Sequence, residues 1–398
     1  MKVADHAIQR PRDARLLAIA ADGDIRDLPR TRLASLLRPG DLVIANDAAT
    51  LPASLAGVHR RTGRPVEVRL ASRRTLAHDD TRAFSAVVFG AGDHRMRTED
   101  RPPPPRLDAG DALTLGPLEA TVVRTLGHPR LVELALHGTP AAVWAGIAAH
   151  GRPVQYAHVP DPLALWDVWT SVAARPVAFE PPSAGFVLDW ALLRELAERG
   201  VGFATLTHAA GLSSTGDPAL DARFPLDEAY EISSATVEAI AAARAHGGRV
   251  IAIGTTVVRA LEHAATRADA QDARLPAGAG LATQRIGPST GLRVVDALVS
   301  GTHEPGTSHH ALLQAFANED VLDRADAALE RLGYRTHEFG DSVWLEADAA
   351  RRQALRSNLN TATLASRLGQ RRTTRPSWMP NASRMRSPSL RASTSKSA

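Results

Sequence analysis

Residues 247–262 read GGRVIAIGTTVVRALE, and this stretch decides the fold class. RVIAI, from Arg249 to Ile253, is a short run rich in β-branched residues between glycines. Such a run suits a strand buried on both faces. Gly254 allows a tight turn. Thr255 or Thr256 is placed to cap a following helix by accepting a free backbone N–H. Beyond them Val257, Val258, Leu261, Ala264 and Ala265 recur every three to four residues as one apolar stripe. Arg259 and Glu262 stand three apart and can pair on another face. The unit is strand, loop, helix. Its loop lies at the carboxyl end of a strand, where open α/β sheets bind ligands.

Working outward, the body of the chain is α/β. RLLAIA (Arg15 to Ala20) reads as a strand, GDIRDLP as a turn and RTRLASLL as a short helix ending at Pro39-Gly40. DLVIANDAATLPASLAG reads as a second strand running into a polar loop. From about 63 to 137 the pattern changes. RPVEVRLA, FSAVVFG, DALTLGPLEATVVRTL and RLVELALHG are short alternating segments separated by Gly and Pro, which predicts a small antiparallel barrel. Helical periodicity returns in AAVWAGIAAHG, WALLRELAERG, SSATVEAIAAARAHGG and EDVLDRADAALERLGYR, and SVWLEA reads as a closing strand. The expected architecture is an α/β domain over 8–58 and 140–348, an inserted small antiparallel β-barrel domain over 59–139, and a disordered basic tail over 349–398.

The chain has 398 residues, 44% of them hydrophobic, enough for two domains with sizeable cores. No apolar run approaches the roughly 20 residues that a membrane helix requires, and MKVADHAIQRPRD has no apolar signal region. The sequence contains no cysteine, which excludes disulfides, zinc–thiolate sites, iron–sulfur clusters and cysteine nucleophiles. A cytoplasmic location and a monomer are expected. The net charge of +4 is unevenly placed. Of 47 Lys and Arg, 11 lie in residues 351–398, which carry no Asp or Glu, so the remainder sets 36 basic against 43 acidic side chains. The Ser-, Arg- and Pro-rich tail has too little apolar surface to offset the entropy of ordering. It is a basic arm for nucleic acid, a tail without function, or out-of-frame sequence.

Eight stretches then fall into a known order: RPRDARLL, LRPGDLVIANDAATLPASLAG, GRPVEVRL, PPSAG, LDEAYEIS, GGRVIAIGTTVVRALE, RVVDALVSGTHEPGTSHHALLQAF and YRTHEFGDSVWL. Over residues 8–347 the chain resembles the S-adenosylmethionine:tRNA ribosyltransferase-isomerase family of queuosine biosynthesis. The resemblance implies an α/β domain carrying an inserted β-barrel. It also implies transfer and isomerisation of the ribosyl group of S-adenosylmethionine onto an aminomethyl-deazaguanine at the tRNA wobble position. The products are epoxyqueuosine tRNA, adenine and methionine. The implied partners are S-adenosylmethionine and the anticodon region of tRNA, with no membrane, no metal and no cofactor beyond the co-substrate.

That chemistry needs a base for the acidic C5′ protons beside the sulfonium and an acid near the departing adenine. By the resemblance, the candidates for catalysis are Asp47, Glu228, His208 and His303. Those for substrate binding are Asn46, Gly254, Thr255, Thr256, Arg259 and Asp341. Each also has a structural reading: an Asx turn for Asp47, a helix-start charge for Glu228, a core histidine for His208, a pair with Glu262 for Arg259, a turn for Asp341. Arg60, Arg61, Arg64, Arg69, Arg73 and Arg74, with one acid among them at Glu67, form either a phosphate-contacting cluster or a solvated face of the barrel. The family's arginines after Asn-Asp and Pro-Ala are replaced by Ala49 and Ser54, and two of its histidines by Val187 and Leu226. These departures favour one alternative, a same-fold enzyme that uses S-adenosylmethionine on a small molecule; a non-catalytic nucleoside-binding protein is a further alternative. The common expectation is that residues 254–256 share one cleft with the 46–47 loop.

Overall fold

The computed structural model describes residues 1–268 and 274–348, so the expected disordered tail over 349–398 lies outside the described residues. The strands that matter below are β1 (Arg15–Ile19), β2 (Ile25–Pro29), β3 (Leu42–Asn46), β4 (Ser54–His59), β5 (Arg64–Arg73), β6 (Phe84–Phe89), β7 (Ala112–Leu115), β8 (Leu118–His128), β9 (Leu131–Leu136), β10 (Gly202–His208), β11 (Glu228–Ile232), β12 (Val250–Ile253), β13 (Gly278–Ala282), β14 (Ala297–Gly301) and β15 (Ser342–Glu346). The helices of eight or more residues are α1 (Pro140–His150), α2 (Trp190–Glu198), α3 (Ser234–Ala245), α4 (Thr255–Thr266) and α5 (Glu319–Leu332).

Nine strands form one mixed sheet in the order β13-β11-β10-β3-β12-β14-β15-β1-β2. Its centre is parallel, with β3 between β10 and β12, and β12 pairing on to β14. The apolar run of β12 is explained by two cores. Val250 and Ala252 face one, and Ile251 and Ile253 face the other. β3 divides the same way, with Leu42 and Ile44 on one side and Val43 and Ala45 on the other. A strand covered on both faces has no polar face to alternate with, so its sequence reads as a continuous apolar run. The predicted stripe of α4, Val257, Val258, Leu261, Ala264 and Ala265, packs into the first core.

The second body is a closed six-stranded barrel in the order β8-β9-β6-β5-β4-β7. It starts at Ser54, ahead of the 59 read from the sequence, and its last strand ends at Leu136. Its interior holds alternate residues of the strands, including Val66, Val68, Leu70, Phe84, Ala86, Val88, Leu113 and Val132. This architecture, an α/β body with an antiparallel barrel, is the one the hydrophobic patterning predicts.

Several local expectations are corrected. GDIRDLP contains a strand: β2 pairs antiparallel with β1, from Arg15–Pro29 to Ile19–Ile25, and Gly23 with φ 82° supports the reversal. Helix α4 is capped by Gly254 with φ 98°, and neither threonine supplies a side-chain cap. Arg259 does not pair with Glu262. The Glu262 carboxylate instead accepts the backbone N–H groups of Arg293, Val294 and Val295 at 2.7, 2.9 and 3.0 Å. Three amides in one loop out-compete a single guanidinium, because they are already held at carboxylate spacing. No helix among the described residues is long and apolar enough to cross a membrane.

Candidate functional site

Beyond the carboxyl ends of β12 and β14 lies a cavity of about 770 Å³. Its size falls in the usual range for small-molecule sites. Gly254, Thr255 and Thr256 form one wall, Ser300 to His303 continue it from β14, and Glu228 and Arg259 close the back. Arg97 and Glu99 reach in from the barrel's loops, and Arg285 stands on the same lining. The cavity therefore sits where parallel strands deliver helix-start amides, with the barrel contributing one edge.

The structure gathers part of the expected set. Glu228 and Arg259 are each 5% exposed and form a close ion pair. Arg259 also donates to the carbonyls of Leu226, Ala282 and Gln284, and Glu228 accepts the Gly211 N–H at 2.6 Å. Burial pushes the Glu228 carboxyl up, against the opposing pull of Arg259 and the Gly211 amide. His303 lines the cavity half-buried, with Nε2 2.7 Å from the Ser300 hydroxyl and its ring stacked on His309. Burial, with His309 and His310 nearby, holds it well below the usual histidine range, so it is a neutral imidazole at pH 7.

Asn46 and Asp47 do not share the cleft as expected. The Asn46 side chain is buried, ties the His208 backbone through both N–H and C=O at 2.9 Å, and reaches Thr256 Oγ1 at 3.4 Å from behind. Asp47 points away from the lining. Its two oxygens accept the Thr205 and Thr207 hydroxyls at 2.8 and 2.7 Å. Successive strand residues face opposite sides, so one neighbour's approach to Thr256 takes the other away. His208 is fully buried beneath the lining, 3.5 Å from Glu228, and neither ring nitrogen has a hydrogen bond among the described residues. Burial and Arg259 push it well below the usual range, so it stays neutral. Asp341 is also off the cavity. It accepts the backbone N–H groups of Arg15 and Arg335 and pairs with the Arg335 guanidinium.

The arginine cluster does not form one face. Arg69 is 1% exposed on the outer face of the barrel wall, paired with Glu67, lying over Phe89 and covered by Tyr156, and Arg73 is 2% exposed, donating to the Ala77 carbonyl. Neither is placed to meet a phosphate. Arg61 pairs with Asp108 and Asp111, Arg60 with Glu119 and Arg74 with Asp227, while Arg64 is exposed. Glu67 was the signal: one acid inside a basic run marks a buried partner as readily as a surface one.

The structure adds residues that the sequence did not single out. Glu180 is buried in the cavity wall, accepting the Tyr156 hydroxyl and, at 2.6 Å, the Ser213 hydroxyl. Nearby, His158 Nε2 lies 3.0 Å from Glu338. His158, His337 and Glu338 bring their ligand-type atoms within 4.8 Å of one another, with His158 and Glu338 joined by the hydrogen bond. The legible signal was FEPPSAG, a carboxylate wedged between an apolar run and two prolines.

Comparison with known proteins agrees in one direction. A family model described as queuosine biosynthesis protein matches residues 1–345. The S-adenosylmethionine:tRNA ribosyltransferase-isomerase of Pelobacter propionicus is 35% identical over 323 residues, covering 79% of this chain and 87% of the relative. That of Methylobacterium radiotolerans is 34% identical over 353 residues, covering 84% and 92%. The crystal structure of S-adenosylmethionine tRNA ribosyltransferase from Thermotoga maritima overlaps 86% of this chain and 95% of its own, at 23% identity and a TM-score of 0.44.

Proposed function

The chain belongs to the S-adenosylmethionine:tRNA ribosyltransferase-isomerase family of queuosine biosynthesis, and on that premise we propose that it transfers and isomerises the ribosyl group of S-adenosylmethionine onto the aminomethyl-deazaguanine of tRNA, giving epoxyqueuosine tRNA. In this reading it works in the cytoplasm as a monomer on the anticodon region, with S-adenosylmethionine as co-substrate and no further cofactor. The observation that carries the reading is the nucleoside-sized cavity at the strand ends, with helix-start amides and two threonines on one wall and a buried Glu228–Arg259 pair at the back.

The chemistry follows from the substrate. The sulfonium acidifies the neighbouring ribose C5′ protons, so a positioned base can remove one. Thr255 and Thr256 offer hydroxyls to the ribose, and the amides at the start of α4 suit its oxygens or the carboxylate of the methionyl group. Arg259 is occupied by Glu228 and three carbonyls, so it shapes the cavity floor. Arg97 and Arg285 at the lining, with Arg60, Arg64 and Arg74 on the surface, supply cations for tRNA phosphates.

The test is incubation with S-adenosylmethionine and tRNA bearing the aminomethyl-deazaguanine, followed by chromatography for free adenine. The expected result is adenine release that requires this tRNA, together with tRNA binding that weakens steeply as salt rises. Absence of adenine from a folded preparation sinks the reading. The burial of Arg69 and Arg73 favours one alternative, a small-molecule acceptor. It would give adenine release without any tRNA.

A further inference from the structure

The cavity carries a second ionisable cluster, separate from Glu228 and Arg259. Tyr156 and His158 stand side by side on one wall, their rings parallel within 7° and 6.0 Å apart. At one end of this pair the Tyr156 hydroxyl donates to Glu180, whose other oxygen accepts the Ser213 hydroxyl. At the other end the His158 ring meets Glu338. Two carboxyl groups therefore share one wall, bridged by two rings.

Their surroundings pull their proton affinities apart. Glu180 is met by hydroxyls, and Arg69 is committed to Glu67 while lying over the Tyr156 ring at 5.5 Å. Burial dominates and pushes Glu180 up to about 7, with Glu338 adding to the rise and the two hydroxyls and Arg69 opposing it. Burial also acts on Glu338, but the hydrogen bond and charge of His158, with its own backbone amide and His337, hold it below the ordinary carboxylate value. Groups of one kind driven in opposite directions mark the acid and base sides of a site. The groups named in the sequence are less available. Glu228 is occupied by Arg259 and Gly211, His208 lies beneath the lining, and His303 is engaged by a hydroxyl and another imidazole.

We propose that this wall performs the proton transfers of the reaction: the Glu180 carboxyl protonates the departing purine, and His158, positioned by Glu338, takes the proton from the carbon beside the sulfonium. The inference rests on the reading given under Proposed function. In the base form of the pair, a neutral His158 donates its Nε2–H to the ionised Glu338, which leaves the lone pair on Nδ1. When that nitrogen takes the C5′ proton, the C–H electron pair stays on carbon beside the positive sulfur. When the glycosidic C–N bond breaks, its electron pair goes to the purine nitrogen and the Glu180 proton joins the purine. The carboxylate left behind is held by the hydroxyls of Tyr156 and Ser213. One proton is removed and one supplied.

The two steps are read separately by running the reaction in heavy water. Solvent deuterium at C5′ of recovered S-adenosylmethionine, by mass spectrometry, reports base action, and free adenine reports departure. For Glu180→Gln the expected outcome is retained C5′ exchange, adenine release lower by about 10²–10⁴-fold, and loss of an ionisation near pH 7 from the rate profile. Glu180→Asp restores part of the rate. His158→Gln loses both exchange and adenine by a similar factor. Glu338→Gln lowers exchange tenfold or more and alters its pH profile, while the affinity for S-adenosylmethionine is unchanged, which a merely structural role would not produce. Circular dichroism and melting curves establish that each variant is folded. Glu180→Gln and His158→Gln proteins that keep both rates within threefold of an active parent overturn this assignment alone. A folded parent that never releases adenine overturns the functional reading, and the assignment with it.

Discussion

Arg259→Ala removes the cation from the ion pair at the back of the cavity, and its consequences can be worked from the structure. Arg259 and Glu228 are each 5% exposed. The guanidinium ties α4 to Glu228 on β11 and to the Ala282 carbonyl on β13 at 3.0 Å. Breaking a buried pair by deleting one partner costs about 3–5 kcal/mol, because the other charge remains buried and unpaired. That corresponds to a fall of roughly 10²–10⁴-fold in the ratio of folded to unfolded protein at pH 7.5. The loss depends on pH in a defined direction. Glu228 already sits above the ordinary carboxylate value because burial outweighs its partners, and losing Arg259 raises it further. Below the unfolded-state value of about 4.3 both states hold the proton and the penalty is small. As pH rises through that value, the unfolded chain releases a proton that the native state retains, so stability falls until the native value is passed. Urea denaturation followed by tryptophan fluorescence measures this at pH 4 and 7.5, with Trp344 buried in the sheet core as one reporter. The double variant Arg259→Met with Glu228→Gln, which leaves no charge, recovers at least half of the loss. A loss under about 1 kcal/mol at pH 7.5, or an equal loss at both pH values, refutes the reasoning.

Gly254→Ala places a Cβ where φ is 98°, with 3.4 Å of clearance to the Ala184 Cβ. The cost is therefore backbone strain of about 1–3 kcal/mol, and calorimetry is expected to give weaker S-adenosylmethionine binding as the start of α4 shifts. Glu262→Ala strips the acceptor from the amides of residues 293–295; a destabilisation of about 1.5–3 kcal/mol and faster hydrogen exchange at those three amides are expected. Trp344→Ala opens the core that β12, β14 and β15 share, where Trp344 is 1% exposed. It is expected to cost about 3–5 kcal/mol, read as a lower urea midpoint with little change in barrel signals.

Much of the scaffold was legible because it is written in near neighbours. The doubly covered strand at Val250–Ile253, the stripe of α4 and the alternating barrel strands each follow from a repeat of two or 3.6 residues. The β2 strand was missed because IRDLP carries too few apolar residues to display a period, and its pairing with β1 supplies the order instead. The site was less legible for a related reason. Asp47 and Asn46 are adjacent in sequence, yet the registers of β3 with β10 and β12 decide which of them reaches Thr256. Arg69 looked like its surface neighbours, but the strand face it shares with Glu67 is covered by Arg101 and Tyr156, which lie far off in the sequence.

By itself, then, the sequence determined the α/β body, the inserted barrel and the strand–loop–helix junction at residues 254–256 that lines the cavity, since the patterns that reveal all three repeat within a few residues along the chain. Only the tertiary structure decided that Arg259 answers to Glu228, and that Tyr156, His158, Glu180, Ser213 and Glu338 form one wall. His158 and Glu338 lie 180 residues apart and meet at 3.0 Å. Their hydrogen bond and their separate degrees of burial are created by long-range packing, and those are the quantities that set where protons reside.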